Sequence, residues 1–502
     1  MRFRATVVTL LLFLPIAAAP AVLAEPVAPQ PVPPVLNLPG LPPIPLPALP
    51  TPPAPTPAPF PLPAPAPAPE PAPAAGIPLP PLPPLHELVD AVVPAPPIPV
   101  LPAPAAGVEV PDLAPDLAAF RQAVLPAATG DPLFDRWPLD LADRLPGEVL
   151  EIRDITASAA PLILVPIRQA TLLKFRTTDA HGAPSFATAT LVVPAAPWTG
   201  AGPRPVLVNN LPIDALGKRC TPGYTMAHGL SFDTNVTDFV PPTTALAAAR
   251  GYAVLIPDHE GPWMAYAEPV VAGHAVLDAV RAARGWNHGE FAASRYAMTG
   301  YSGGAIATHG AVKMLPGYAP ELAGSVVGAA LGGVPADFEI LARSMNANLA
   351  SGVFMGAILA IGRERPEILD RVNNLGRWVA LSPIKDECIG VFALPGLLQL
   401  SVDVAADMAN PLGSELAAEI YEVTRMSGIR SPVPLYIYNG DQEFWIPAEG
   451  ARNLYREQCA LGANAVYRGV LGEHIIGAAT GYPEAVRWLD LRLRGVPARS
   501  EC

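Results

Sequence analysis

From about Asp112 onward the chain carries apolar residues in two periods, one of strands and one of helices. Leu172–Thr177 and Ala187–Val193 are β-rich and alternating, and Asp179-Ala180-His181-Gly182 between them has the composition of a turn. Arg204–Asn209 and Tyr252–Pro257 are short apolar runs bounded by breakers, as strands buried on both faces are. Thr243–Arg250 and Gly273–Arg284 read as helices, and Tyr296–Thr299 as the strand that follows. Gly324–Ala330 and Val433–Tyr438 extend the series. Strand and helix in alternation predict an α/β fold, with a mostly parallel sheet and helices on both faces. About 100 residues separate the last two strands, whereas a crossover needs about a dozen. The excess is largely helical in pattern and rich in apolar stretches, including Gly352–Ile361 and Ile389–Leu400. It predicts a helical cap, inserted at about residues 336–428, over the carboxyl ends of the strands.

The first part of the chain has a different character. Residues 1–24 open with Arg2 and Arg4, run through the apolar stretch Val7–Ala19, and end in small residues at Ala24. That order predicts a secretory signal peptide. Residues 25–107 hold about half of the 68 prolines. Proline fixes φ and removes an amide donor, so an extended linker without helix or sheet ladder is expected, a spacer that could contact the cell envelope. Residues 108–502 form the expected globular domain. No later stretch is apolar for long enough to span a membrane.

Charge and cysteine narrow the function classes. The formal net charge is -12 and only 15% of residues are charged, which disfavours nucleic acid and anionic lipid as partners. The four cysteines, Cys220, Cys388, Cys459 and Cys502, form no CxxC pair. In an exported chain they predict two disulfides, with three connectivities open, in preference to a zinc site. No phosphate-binding loop, HExxH or dinucleotide fingerprint is present, so no cofactor and no metal is implied.

The chemistry centres on Gly300-Tyr301-Ser302-Gly303-Gly304, a G-x-S-x-G sequence between a strand pattern, Arg295–Thr299, and a helix pattern, Ala305–Lys313. In that setting it is a nucleophile elbow, with Ser302 exposed on a tight turn. A serine needs a base, and the base needs an acid, in the chain order Ser, acid, His. Of the two later histidines, His309 lies two turns along the elbow helix and reads as a packed residue. His474, just before a final helix at Pro483–Arg494, is the expected base. The acid should follow the strand Val433–Tyr438, where Asp441 is favoured and Glu443 is the alternative. Gly303 N–H is the first expected oxyanion donor, and the loop Asn210-Leu211-Pro212-Ile213-Asp214 should supply the second. The Asp214 side chain could serve only if protonated. Asp258-His259-Glu260 precedes the serine and is expected to hold a loop by hydrogen bonds. Asn235-Val236-Thr237 is a glycosylation sequon.

These motifs, with Asp258-His259-Glu260-Gly261, Arg456-Glu457-Gln458-Cys459, Gly462-Ala463-Asn464 and Glu473-His474, resemble the secretory lipase family from about Asp131 to Cys502. Asp214, Cys220 and Pro222 are similar to its oxyanion loop. The resemblance implies an α/β-hydrolase with a helical cap, acting on triacylglycerols and simpler esters. It implies Ser302, Asp441 and His474 as the triad, Asp214 and Gly303 at the oxyanion hole, and the pairs Cys220–Cys388 and Cys459–Cys502. The long Pro-rich segment is a departure from the family, and the cap leaves acyl-chain preference open. The alternatives are a short-chain carboxylesterase or an acyltransferase acting on envelope lipids with the same triad. A peptidase and a non-catalytic surface protein are more distant.

Overall fold

The computed structural model describes residues 35–36, 44–45 and 83–502, apart from 102–109, 111, 232–233 and 236–241. The expected signal peptide, most of the Pro-rich segment and part of the sequon lie outside the described residues. The chain divides into two units, Met1–Leu79 and Pro80–Cys502. In the first, Val35–Leu36 pairs antiparallel with Ile44–Pro45. The second holds everything described below.

Its centre is a nine-stranded sheet. The strands are β1 (Val149–Asp154), β2 (Ile167–Thr178), β3 (Pro184–Pro194), β4 (Val206–Asn210) and β5 (Ala253–Pro257). They continue with β6 (Tyr296–Tyr301), β7 (Val326–Gly332), β8 (Leu435–Gly440) and β9 (Ala465–Val470). The spatial order is β1-β2-β3-β5-β4-β6-β7-β8-β9, antiparallel from β1 through the β3–β5 pair and parallel from β5 to β9.

Period-two alternation sends successive side chains to opposite faces, and here both faces are apolar. Val206, Val208, Leu255, Met298 and Ile437 pack beneath the helices Pro269–Gly285 and Gly303–Tyr318. Leu207, Val254, Ile256, Ala297 and Tyr436 pack on the other side, with Leu489 and Leu493 of the final helix His474–Leu493. Parallel strands need such cover on both faces.

Several boundaries depart from the sequence pattern. β1 and β9 are additional strands. The final helix begins at His474, nine residues before the expected Pro483, because the Glu473 carboxylate accepts the amides of Ile475 and Ile476 and caps it there. Within the segment expected to lack helix, Leu85–Val92 is helical. Those eight residues contain no proline, which leaves two turns free to close.

The insertion between β7 and β8 is helical, as expected. It includes Phe338–Met345, Ser351–Glu364, Asn374–Leu381 and Glu415–Arg425. The apolar stretch Ile389–Leu400 holds a short helix, Ile389–Phe392, and a 3-10 turn at Leu394–Leu398, where Pro395 and Gly396 oppose regular helix. Phe338, Leu341, Met345, Val353 and Phe392 of this cap form a core with Leu216, Ile306 and Ile446 below it. Among the described residues no helix is long and apolar enough to cross a membrane.

Two devices fasten the cap to the sheet domain. A disulfide joins Cys220, in the loop after β4, to Cys388 in the cap, and a second joins Cys459 to Cys502. Arg363 is fully buried and donates to five backbone carbonyls: Nε to Val124 (3.1 Å), Nη1 to Leu216, Trp263 and Met264 (2.8, 2.9 and 3.3 Å), and Nη2 to Lys385 (2.7 Å). Burial pushes its pKa down, to about 10, which still leaves it charged at neutral pH. Replacing it by Met would strand those carbonyls, each worth about 1–3 kcal/mol when left unpaired. Arg363→Met should therefore lower unfolding free energy by at least about 3 kcal/mol in a denaturant titration. Arg363→Lys, with three donors on one nitrogen, should fall between the two.

Candidate active site

β6 ends at Tyr301, and the helix Gly303–Tyr318 starts two residues later. The chain reverses at Ser302, which has φ +54° and ψ −124°, a strained conformation for a residue with a side chain. The helix must then start close against β4: a Cβ on Gly304 would lie 2.0 Å from the Asn210 carbonyl oxygen. Glycine is required there by space. The result is a serine projecting from the carboxyl edge of the sheet at a helix N-terminus.

His474, the first residue of the final helix, reaches the same edge. Its Nε2 lies 2.9 Å from Ser302 Oγ. Its Nδ1 lies 2.7 Å from Glu443 Oε2, a carboxylate with no solvent exposure. An ionised carboxylate only accepts, so Nδ1 carries the proton and Nε2 is free to accept from the serine. Glu443 Oε1 accepts the amides of Trp445 and Ile446 at 2.9 and 3.3 Å. Burial acts to raise the Glu443 pKa, but the His474 hydrogen bond and charge, with those two amides, outweigh it and hold it below its ordinary value. Trp445 stacks on the imidazole at 5.9 Å, and the Tyr301 hydroxyl donates to the His474 carbonyl at 2.5 Å.

The structure does not bring Asp441, the acid favoured from sequence, to His474; it brings the alternative, Glu443. Asp441 is exposed, and its carboxylate lies over Gly469 of β9. Its amide still continues the ladder, donating to the Val470 carbonyl at 2.8 Å. The chain has not yet turned back at residue 441. Two residues later it has, and Glu443 meets the imidazole. His309 is fully buried in the elbow helix, and burial, then Lys313, holds its pKa well below the ordinary value.

The loop after β4 brings Asp214 close to Gly303, next to Ser302. A Cβ on Gly303 would meet Asp214 Oδ1 at 1.7 Å, so only glycine lets the carboxyl lie there. Asp214 is buried, and its Oδ1 has no hydrogen-bond partner. Burial raises its pKa to about 7, against a smaller opposing effect of His474. The Asp258-His259-Glu260 cluster fixes this loop from beneath. His259 Nε2 bonds the Leu211 carbonyl at 2.8 Å, Glu260 accepts the Ala215 amide at 3.3 Å, and Asp258 accepts the Gly223 amide at 2.8 Å.

Ser302, Asp214 and His474 open into a cavity of about 860 Å³ roofed by the cap. Its wall is apolar almost throughout, with Phe338, Leu341, Val353, Phe392 and Ile420 among its residues. The sequence pattern put Val353 and Phe392 in apolar stretches of the cap but did not mark the wall itself, because its residues come from several helices that meet only in the folded cap.

The Secretory lipase family matches residues 227–501. The chain is 28% identical over 388 residues to a probable inactive lipase of Mycobacterium tuberculosis, covering 75% of this chain and 85% of that protein. It is 29% identical over 388 residues to the trichothecene C-3 esterase of Fusarium sporotrichioides, covering 72% and 85%. Its fold is similar to the closed state of Candida antarctica lipase A, with a TM-score of 0.66 at 25% identity over 76% of this chain and 89% of that structure. With an α/β-hydrolase sheet, a helical cap and a family match over more than half its length, the chain belongs to the secretory lipase family of lipases and esterases.

Proposed function

We propose that the protein is an exported serine hydrolase that cleaves carboxylic esters, triacylglycerols among them, through an acyl-enzyme on Ser302. The observation that carries this reading is the unbroken hydrogen-bond chain Glu443–His474–Ser302 opening into an apolar cavity. The N-terminal pattern, with cleavage expected after Ala24, supports export.

His474 Nε2 takes the Ser302 proton as Oγ attacks the ester carbonyl carbon. Glu443, ionised, orients the ring and stabilises the imidazolium that forms. The Gly303 amide and the protonated Asp214 carboxyl face the developing oxyanion. As the tetrahedral intermediate collapses, the ester C–O bond breaks and His474 returns the proton to the leaving alcohol. Water then repeats the sequence and releases the acid. The acyl chain lies in the cavity, where burial of each methylene contributes about 0.8 kcal/mol.

The relative named as a probable inactive lipase makes the direct test necessary. In a titrating assay with tributyrin and an emulsified long-chain triacylglycerol, the parent should release acid and Ser302→Ala should not, beyond a residual acceleration of about 10³–10⁴ over water. Acid release by Ser302→Ala equal to the parent would remove the nucleophile from this scheme.

The identity of the acid is tested by a pair of variants. Glu443→Ala should lower kcat by about 10⁴-fold, while Asp441→Ala leaves it unchanged. The reverse pattern would restore Asp441 to the role expected from sequence.

Asp214 sets the direction of a pH dependence. Below pH 7 its carboxyl holds a proton and can donate; as pH rises through about 7 the proton leaves and a negative charge faces the oxyanion. Ester hydrolysis should decline over that range. Asp214→Asn, which keeps a neutral donor, should abolish the decline, and an unchanged pH–rate profile would exclude the side chain from the oxyanion hole.

A further inference from the structure

The short cap helix Asn374–Leu381 has a cavity on one side. Leu375, Gly376, Val379 and Ala380 line the space into which Ser302 opens. Its other side meets residues 83–101, which precede the sheet domain and lie outside the family match, and Trp378 there stays partly exposed. The Asp90 carboxylate accepts the Asn374 amide at 2.8 Å. The carbonyl of Val93 accepts Asn374 Nδ2, and that of Pro94 accepts Trp378 Nε1, both at 2.9 Å.

The chemistry of these bonds follows from composition. Pro94, Pro96, Pro97 and Pro99 have no amide hydrogen, so this segment is poor in ladder donors, but its carbonyls remain acceptors. The strap supplies acceptors and the cap helix supplies donors. Proline also restricts the segment before it docks, which reduces the entropy lost on ordering. Downstream, Ile98 packs on a cluster that contains Leu359, Leu369 and Ala380. All three also line the cavity. One layer of side chains thus separates the strap from the space beside the nucleophile.

We propose that residues 83–101 are an intramolecular clamp that holds the roof of the acyl cavity in shape and so sets the preference for long acyl chains. The proposal rests on the reading of this cavity as the acyl site. A two-turn helix is marginal in isolation, and outside the cavity this one has two neighbours, the strap and the helix Pro115–Val124, whose Phe120 meets Arg377 and shares a cluster with Ala380. A butyryl group bonded to Ser302 is too short to depend on the far wall. A palmitoyl group depends on it.

The test uses the full-length chain with Ile98→Asp, and separately Trp378→Phe, which removes only the bond to Pro94. Two quantities are measured: hydrogen–deuterium exchange of amides 374–381, and kcat/KM on p-nitrophenyl butyrate and palmitate, both dispersed in the same detergent. Ile98→Asp should speed exchange there by at least about tenfold. It should also lower the palmitate-to-butyrate ratio by about tenfold with the butyrate value unchanged. Trp378→Phe should move both in the same direction by less, and it keeps the test open should Ile98→Asp fail to fold. Unchanged exchange in both variants overturns the clamp. Faster exchange with an unchanged ratio, or a raised one, overturns its role in chain-length preference. If the parent cleaves neither ester, the hydrolase reading falls instead, and exchange alone decides whether the clamp exists.

Discussion

The site depends on one close approach, the seating of the elbow helix against the end of β4. Asn210 pairs with Gly300 in the β4–β6 register, and the Asn210 carbonyl sits where a side chain on Gly304 would have to go. That contact lets the chain reverse within a single residue and places Ser302 in its strained conformation. The same seating brings the loop that follows β4 against Gly303, so Ser302 and Asp214 are positioned by one packing event. Rigid neighbours maintain the strain: the sheet below is buried on both faces, and such interiors adjust little.

Around this edge the protein keeps carboxyl groups in different electrical states by giving them different partners. Glu443 is buried but meets His474 and two amides, which favours the ionised form. Asp214 is buried without a partner for Oδ1, which favours the proton. Glu260, behind it, is held well above its usual pKa, first by burial and then by Asp214. Divergent environments for neighbouring acids are the usual means by which one site holds an acid and an anion at the same pH. Arg363 is a further buried charge, satisfied by carbonyls drawn from both the cap and the sheet domain.

The cap contributes shape and little polar chemistry. It roofs an apolar space beside a polar edge, an arrangement suited to a substrate with one reactive carbonyl and a long hydrocarbon tail. Its attachment is distributed among a disulfide, a buried guanidinium and the N-terminal strap. Those attachments tie the cap to the rest of the chain, whereas the sheet edge carries Ser302, His474 and Glu443.

Much of this was legible in the sequence because it is local. Alternation and breakers marked the central strands, and the strand-turn-helix setting of Gly300–Gly304 marked Ser302. His474 followed from chain order and elimination. The motif resemblance carried the disulfide pairs and the place of Asp214, which spacing alone left open. Tertiary structure decided the rest. Asp441 and Glu443 are two residues apart in one loop, and only the point at which the chain parts from β9 determines which carboxylate turns inward. Leu85–Val92 is too short a helix to stand out amid proline, and it has its place because Asn374 and Trp378 supply donors from 284 residues along the chain. Local pattern specifies which backbone states a segment can adopt. Which groups then meet depends on how the whole chain closes, and that is a property of long-range packing.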